Sequence, residues 1–297
     1  MARSSVSPLY PTSKPPLARR IRFEFGKDVP LMWTPSYPEM SAAANSISLL
    51  MPHVEPYVLA SVRAVLDQLP TEQQDAAAAF IAQEAQHQLQ HRRFNALITP
   101  QIPGMCRVER WMHRTYTWLQ RTRTPEFSLA FAAGFETVAF ALARWTELQL
   151  HRFFEGADEQ ITTLFLWHLA EEVEHKSVAF DAYEAVDGSK LRYLVAALLS
   201  IFLLSSYTLI GAVLNLKAQG RHLNPIAWWR LGVCAISLAW EVLPDVAASA
   251  MPHHHPTDFA DPVALTTWLK QYDPETASMP LWWTSAAQFV ENNKSAA

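Results

Sequence analysis

Glycine is scarce in this chain: 8 residues in 297, well under the usual share of about 7%. Phosphate-cradling loops, dinucleotide folds and hairpin-rich sheets all need glycine for positive φ. No GxGxxG or GxxxxGK[ST] is present, so Rossmann, P-loop and all-β readings fall away. Cysteine is nearly absent too. Cys106 and Cys234 make neither a disulfide framework nor a CxxC zinc ribbon, which suits a reducing compartment. Charge is also low, with 18% charged residues and a net charge of −4. That balance does not track a phosphate backbone, so no nucleic-acid partner is expected. The opening MARSSVSPLYPTSKPP has no apolar run of the secretory type, and the expected location is cytoplasmic.

What is abundant is apolar. Half of the residues are hydrophobic, including 11 Trp and 15 Phe, which excludes disorder. Residues 1–40 read as an extended Pro- and Ser-rich arm lying over the domain, with a strand-like stretch from Arg20 to Phe25. Residues 41–187 read as long helices joined by short breaks, an up-down bundle with a shorter helix near 105–122. Thr71 with Gln74 reads as a capping box, and Thr124-Pro125 as an N-cap followed by proline. Residues 188–250 read as apolar C-terminal helices, and 251–297 as a tail in which His253, His254 and His255 lie on a solvent loop. From Tyr193 to Leu216 no charge occurs, with basic residues on both flanks. Such length is enough to cross a membrane, but packing on the core or in a homodimer interface stays equally open.

The chemistry is carried by glutamate and histidine at helical spacing. Glu84 and His87 stand three apart on one predicted helix, as do Glu172 and His175 on another. One Glu-x-x-His arises often by chance, whereas two on bundle helices are a far stronger signal. Each is preceded by a helix bearing one further glutamate, Glu55 and Glu136 respectively. Glu136 is the sole charge between Phe127 and Ala143. A carboxylate there must be buried, and burial is costly unless it is paired, protonated or bound to a cation. A Glu from each of two helices and ExxH from each of two others is the ligand set of ferritin-like di-metal carboxylate bundles. Carboxylate with imidazole suits iron or manganese. The fold expected is therefore all-α, a ferritin-like helical bundle with additional C-terminal hydrophobic helices. His168, four before Glu172, shares its face and joins the candidate ligands. Gln83, His91, Glu171 and Asp181 are candidates for supporting the ligands by hydrogen bonds.

Two resemblances follow from these strings. The H-x-x-x-E-x-x-H spacing at His168, Glu172 and His175 resembles the three-histidine sites of p-aminobenzoate N-oxygenase-like di-iron enzymes, which implies His168 as a further iron ligand. The segments from Asn45 to Leu50, Gln83 to Asn95 and Trp167 to Asp181 resemble a bacterial family of predicted metal-dependent hydrolases. The likeness runs from about Arg19 to about Arg221 and departs at Val54, where that family usually has Gly.

The leading expectation is a non-haem di-iron oxygenase or oxidase with two iron ions (or manganese) held by Glu55, Glu84, His87, Glu136, His168, Glu172 and His175. It would use O2 and an external electron donor to hydroxylate, N-oxygenate or desaturate an apolar small-molecule or lipid-like substrate. Phe80, Phe131, Phe135, Phe140 and Trp167 are candidate pocket liners. The alternatives are a metal-dependent hydrolase using a metal-bound hydroxide, and a non-catalytic iron-handling protein.

Overall fold

A computed structural model describes residues 15–282, and these are helical without a strand. The long elements are α1 (Pro38–Arg63), α2 (Thr71–Ile98), α3 (Met105–Thr122), α4 (Pro125–Glu147), α6 (Glu159–His175), α8 (Lys190–Ala218) and α9 (Pro225–Ser249). Shorter helices are α5 (Leu150–Phe154), α7 (Val178–Val186) and α10 (Val263–Leu269). The expected all-α bundle with apolar C-terminal helices is what forms.

Local chemistry places most helix ends. Thr124 caps α4 by accepting from the Phe127 amide, and Asp158 caps α6 by accepting from Ile161. The capping box expected at Thr71 does not form: Thr71 is already helical, Pro70 precedes it, and Gln74 donates to the Leu69 carbonyl. The helix expected to run on to Asp187 breaks at Lys176 and Ser177, between α6 and α7.

The apolar stretch of α4 makes it the central helix, packed against α1, α6, α7, α8 and α9. Close approach of α8 depends on small residues. An added Cβ at Gly134 would lie 2.6 Å from the Ala197 Cα, and one at Gly211 would lie 2.5 Å from Ser46 Oγ. The described part of the arm, from residue 15 on, contains no strand. It is nonetheless extended, with Arg19, Ile21 and Phe23 buried in alternation and Gln90 donating to the Ile21 carbonyl at 2.8 Å.

Among the described residues, three helices are long and apolar enough to cross a membrane: α4, α8 and α9. Their most apolar windows are buried to 83%, 28% and 17% respectively. Thus α4 is core, whereas α8 and α9 bury one side and leave the other bare.

Candidate metal centre

Four helices converge on one buried cluster. Glu55 comes from α1, Glu84 and His87 from α2, Glu136 from α4, and His168, Glu172 and His175 from α6. Spacings of three and four residues align the α2 and α6 groups on inward faces. Glu84 Oε1 lies 3.4 Å from His87 Nδ1 and 3.2 Å from His175 Nε2. His175 Nδ1 lies 3.0 Å from Glu136 Oε2, and His168 Nε2 lies 2.7 Å from Glu172 Oε1 and 3.7 Å from Glu55 Oε1. Two overlapping sets are compact enough to hold a metal ion: Glu84, His87, Glu172 and His175, and Glu55, His87 and His168. Glu136 belongs to neither set and borders the first through His175.

The ring orientations follow from a hydrogen-bond chain that starts at a proline. Pro52 has no N–H, so it leaves the carbonyl of Ser48, four residues earlier in α1, without its helical donor. Asn95 Nδ2 donates to that carbonyl at 2.8 Å, which fixes the amide and turns Oδ1 to accept from Ser48 Oγ at 2.7 Å. With its proton committed, Ser48 Oγ accepts from His91 Nδ1 at 2.7 Å. His91 Nε2 is then bare and accepts from His168 Nδ1 at 2.7 Å. Burial, with His168 and His87 nearby, holds His91 well below the usual histidine range, in keeping with a neutral ring. His168 Nε2 is left as a lone pair facing the Glu172 carboxylate.

His87 is oriented from the other side. Its Nε2 donates to Glu171 Oε2 at 2.9 Å, and Arg19 of the arm donates to Glu171 Oε1 at 3.0 Å. Of the four supporting candidates, Glu171 and His91 therefore contact the cluster histidines as expected. The other two do not. Gln83 donates to Glu174 Oε2 at 3.1 Å and to the Leu17 carbonyl, because the arm returns across α2 and takes its side chain. Asp181 pairs with His255 Nε2 at 2.7 Å, since the break after His175 redirects α7. That contact also corrects the solvent-loop reading for one of the three histidines: His255 is buried, only 3% exposed, whereas His253 is exposed.

The electrostatics are those of crowded, dehydrated carboxylates. Burial first, and then the charge of Glu84, push Glu55 well above the usual range. Burial followed by Glu172 does the same to Glu136. Against burial, the charge of His175 holds Glu172 at about 2, and against burial Glu172 and Glu136 raise His175 to about 9. Neither oxygen of Glu55 or Glu136 has a hydrogen-bond partner, nor do Glu84 Oε1, His87 Nδ1, Glu172 Oε2 or either nitrogen of His175. So many buried polar atoms without a hydrogen-bond partner at one point are costly. Two ligand atoms at about 2.1 Å from one tetrahedral ion lie about 3.4 Å apart, so the 3.4 Å Glu84–His87 and 3.2 Å Glu84–His175 separations suit a shared cation. The residues present fit a metal.

An apolar pocket reaches this cluster. Met51, Phe135, Val138, Leu142, Phe165 and Leu169 line it, with His91, His168 and Glu172 at its polar end. Of the expected liners only Phe135 belongs to it. Phe80 and Trp167 instead set their rings 4.8 Å and 4.9 Å from His175 and His87, edge to face. Phe131 and Phe140 fill the core.

Three residues have no assigned role in the sequence reading: Arg19, Ser48 and Asn95. For two of them a signal was present. Asn95 lies four after His91 on the same helical face, and Ser48 lies four before Pro52.

No curated protein and no solved structure matches the chain. A family comparison extends past Arg221, beyond the strings that carry the resemblance. It covers residues 17–259, and by that match the chain belongs to the family described as predicted metal-dependent hydrolase.

Proposed function

We propose that the cluster is a dinuclear metal centre and that the protein is a non-haem di-iron oxygenase or oxidase acting on an apolar or lipid-like substrate. Glu55, Glu84, His87, Glu136, His168, Glu172 and His175 would hold the two ions. Bound iron supplies electrons for O2 activation, and ions without redox chemistry supply Lewis acidity towards water.

The observation that supports this reading is the meeting of two features at one point. Carboxylates and imidazoles without hydrogen-bond partners, and no thiolate, gather in a cluster that an apolar pocket reaches through His168 and Glu172. Four carboxylates balance two divalent ions, and Glu–His donors suit iron or manganese. The chain's own residues do the rest. Glu171 and His91 hold His87 and His168 with a bare nitrogen turned inward. Phe135, Phe165 and Leu169 exclude water and receive an apolar substrate beside His168 and Glu172.

Membership of the family favours a second reading, metal-dependent hydrolysis, and supports it more directly than it supports oxidation. The two are separated by metal analysis together with O2 uptake. Two iron ions per chain, and O2 and reductant consumption coupled to product from an apolar substrate, are expected for the first. Turnover under strict anaerobiosis with zinc or manganese would overturn it in favour of hydrolysis. A protein retaining fewer than two metals would overturn the dinuclear centre itself.

A further inference from the structure

One broad face of the molecule plays no part in the metal cluster. It is built from α3, α8 and α9. Helix α3 buries Met105, Val108, Met112, Tyr116 and Leu119 at three- and four-residue intervals. Its opposite side carries exposed Arg107, Arg110, Arg114 and Arg121, together with Trp111 and Trp118, 43% and 54% exposed. None of these arginines meets a carboxylate among the described residues. Helix α3 lies along α8, with Thr115 Oγ1 2.6 Å from the Tyr207 hydroxyl and Gly104 packed against Leu214. The outer side of α8 exposes Leu191, Val195, Leu198, Phe202 and Leu209. On α9, Trp229, Ile236 and Trp240 stand on one side at 73%, 70% and 82% exposure.

We propose that this face docks the protein flat on an anionic lipid bilayer. Helix α8, about 43 Å long at 29 residues, cannot cross the bilayer as a lone span. Its inner side is fixed to α1 and α4, where Asn45 Nδ2 donates to Asn215 Oδ1 at 3.1 Å. An apolar stripe bordered by tryptophans and unpaired arginines is the pattern of a helix lying in the interface, rings at headgroup depth and cations on phosphates. A second copy of the same face would not complement it. The only carboxylates between residues 188 and 252 are Glu241 and Asp245, and both already bond Arg144. No exposed acid on α8 or α9 is left to receive the α3 arginines of another copy.

Flotation of the full-length protein with vesicles tests this without turnover, so its outcome is separate from that of the reaction assays. Vesicles of equal parts phosphatidylcholine and phosphatidylglycerol are expected to carry the protein, and high salt to release it. Arg110→Gln and Arg114→Gln should each weaken partitioning about fivefold, and Phe202→Ser with Trp229→Ser should abolish it, with helix content unchanged by circular dichroism. Failure to float with anionic vesicles would overturn the proposal, as would binding indifferent to salt and to the arginine changes. A dimer that Phe202→Ser dissociates, in a protein that does not float, would assign the face to a second copy instead.

Discussion

His91 Nε2 accepts the Nδ1 proton of His168 at 2.7 Å, and the direction of that bond is set by an amide and a proline on two other turns of helix. The Ser48 carbonyl freed by Pro52 orients Asn95, Asn95 commits the Ser48 proton, and Ser48 fixes the tautomer of His91. Each link leaves the next atom one role. The result is an imidazole on α6 that presents a lone pair inward before any ion arrives.

His91→Phe removes the acceptor and frees the His168 ring. Metal affinity should fall roughly 10- to 100-fold, read by competition titration, while Asn95→Leu should move it the same way by less. Unchanged affinity in His91→Phe, with melting temperature preserved, would remove the ring from the support of the centre.

Glu136 is fully buried with both oxygens unpaired. Glu136→Gln should lower the metal content by at least one ion per chain, measured by plasma emission. Undiminished stoichiometry would refute its assignment.

Asp245 carries a pH signature away from the centre. Burial lifts its carboxyl from 3.8 to about 6, Arg144 opposing and Glu241 adding to the rise. A carboxyl raised on folding costs stability once ionised. That cost is therefore absent below about pH 4, grows as pH climbs through 6 and persists above. Asp245→Asn should gain about 1 kcal/mol at pH 8, after allowance for the lost Arg144 contact, and lose that gain at low pH. Urea melts at both pH values check it, and an equal effect at each would contradict the assignment.

Gly134 sets the distance between α4 and α8. A Cβ there would fall 2.6 Å from Ala197 Cα, a backbone atom that cannot swing aside. Gly134→Val should cost about 1–3 kcal/mol by overpacking, measured by urea denaturation. A neutral result would mean that α8 shifts freely on α4.

Much of the site was legible in one dimension because helical periodicity is local. Glu84 with His87 and Glu172 with His175 share faces by spacing alone, and Glu136 announces its burial by standing alone in an apolar run. The errors lie where a partner comes from far along the chain. Gln83 is taken by Glu174 and by Leu17 of the arm, and Asp181 is taken by His255, 74 residues later. The capping box at Thr71 failed for a nearer reason, since Pro70 holds the boundary position.

The shared faces of Glu84 with His87 and of His168, Glu172 and His175 were determined by the sequence itself, because side-chain direction in a helix is fixed by residue spacing. The scarcity of glycine had the same local meaning: long helices with few turns. Only the tertiary structure decided which nitrogen of His168 is bare, that Arg19 braces Glu171, and that α8 buries one face and bares the other. Those outcomes depend on atoms brought within 3 Å by packing across the whole chain, and spacing along a single helix does not contain that information.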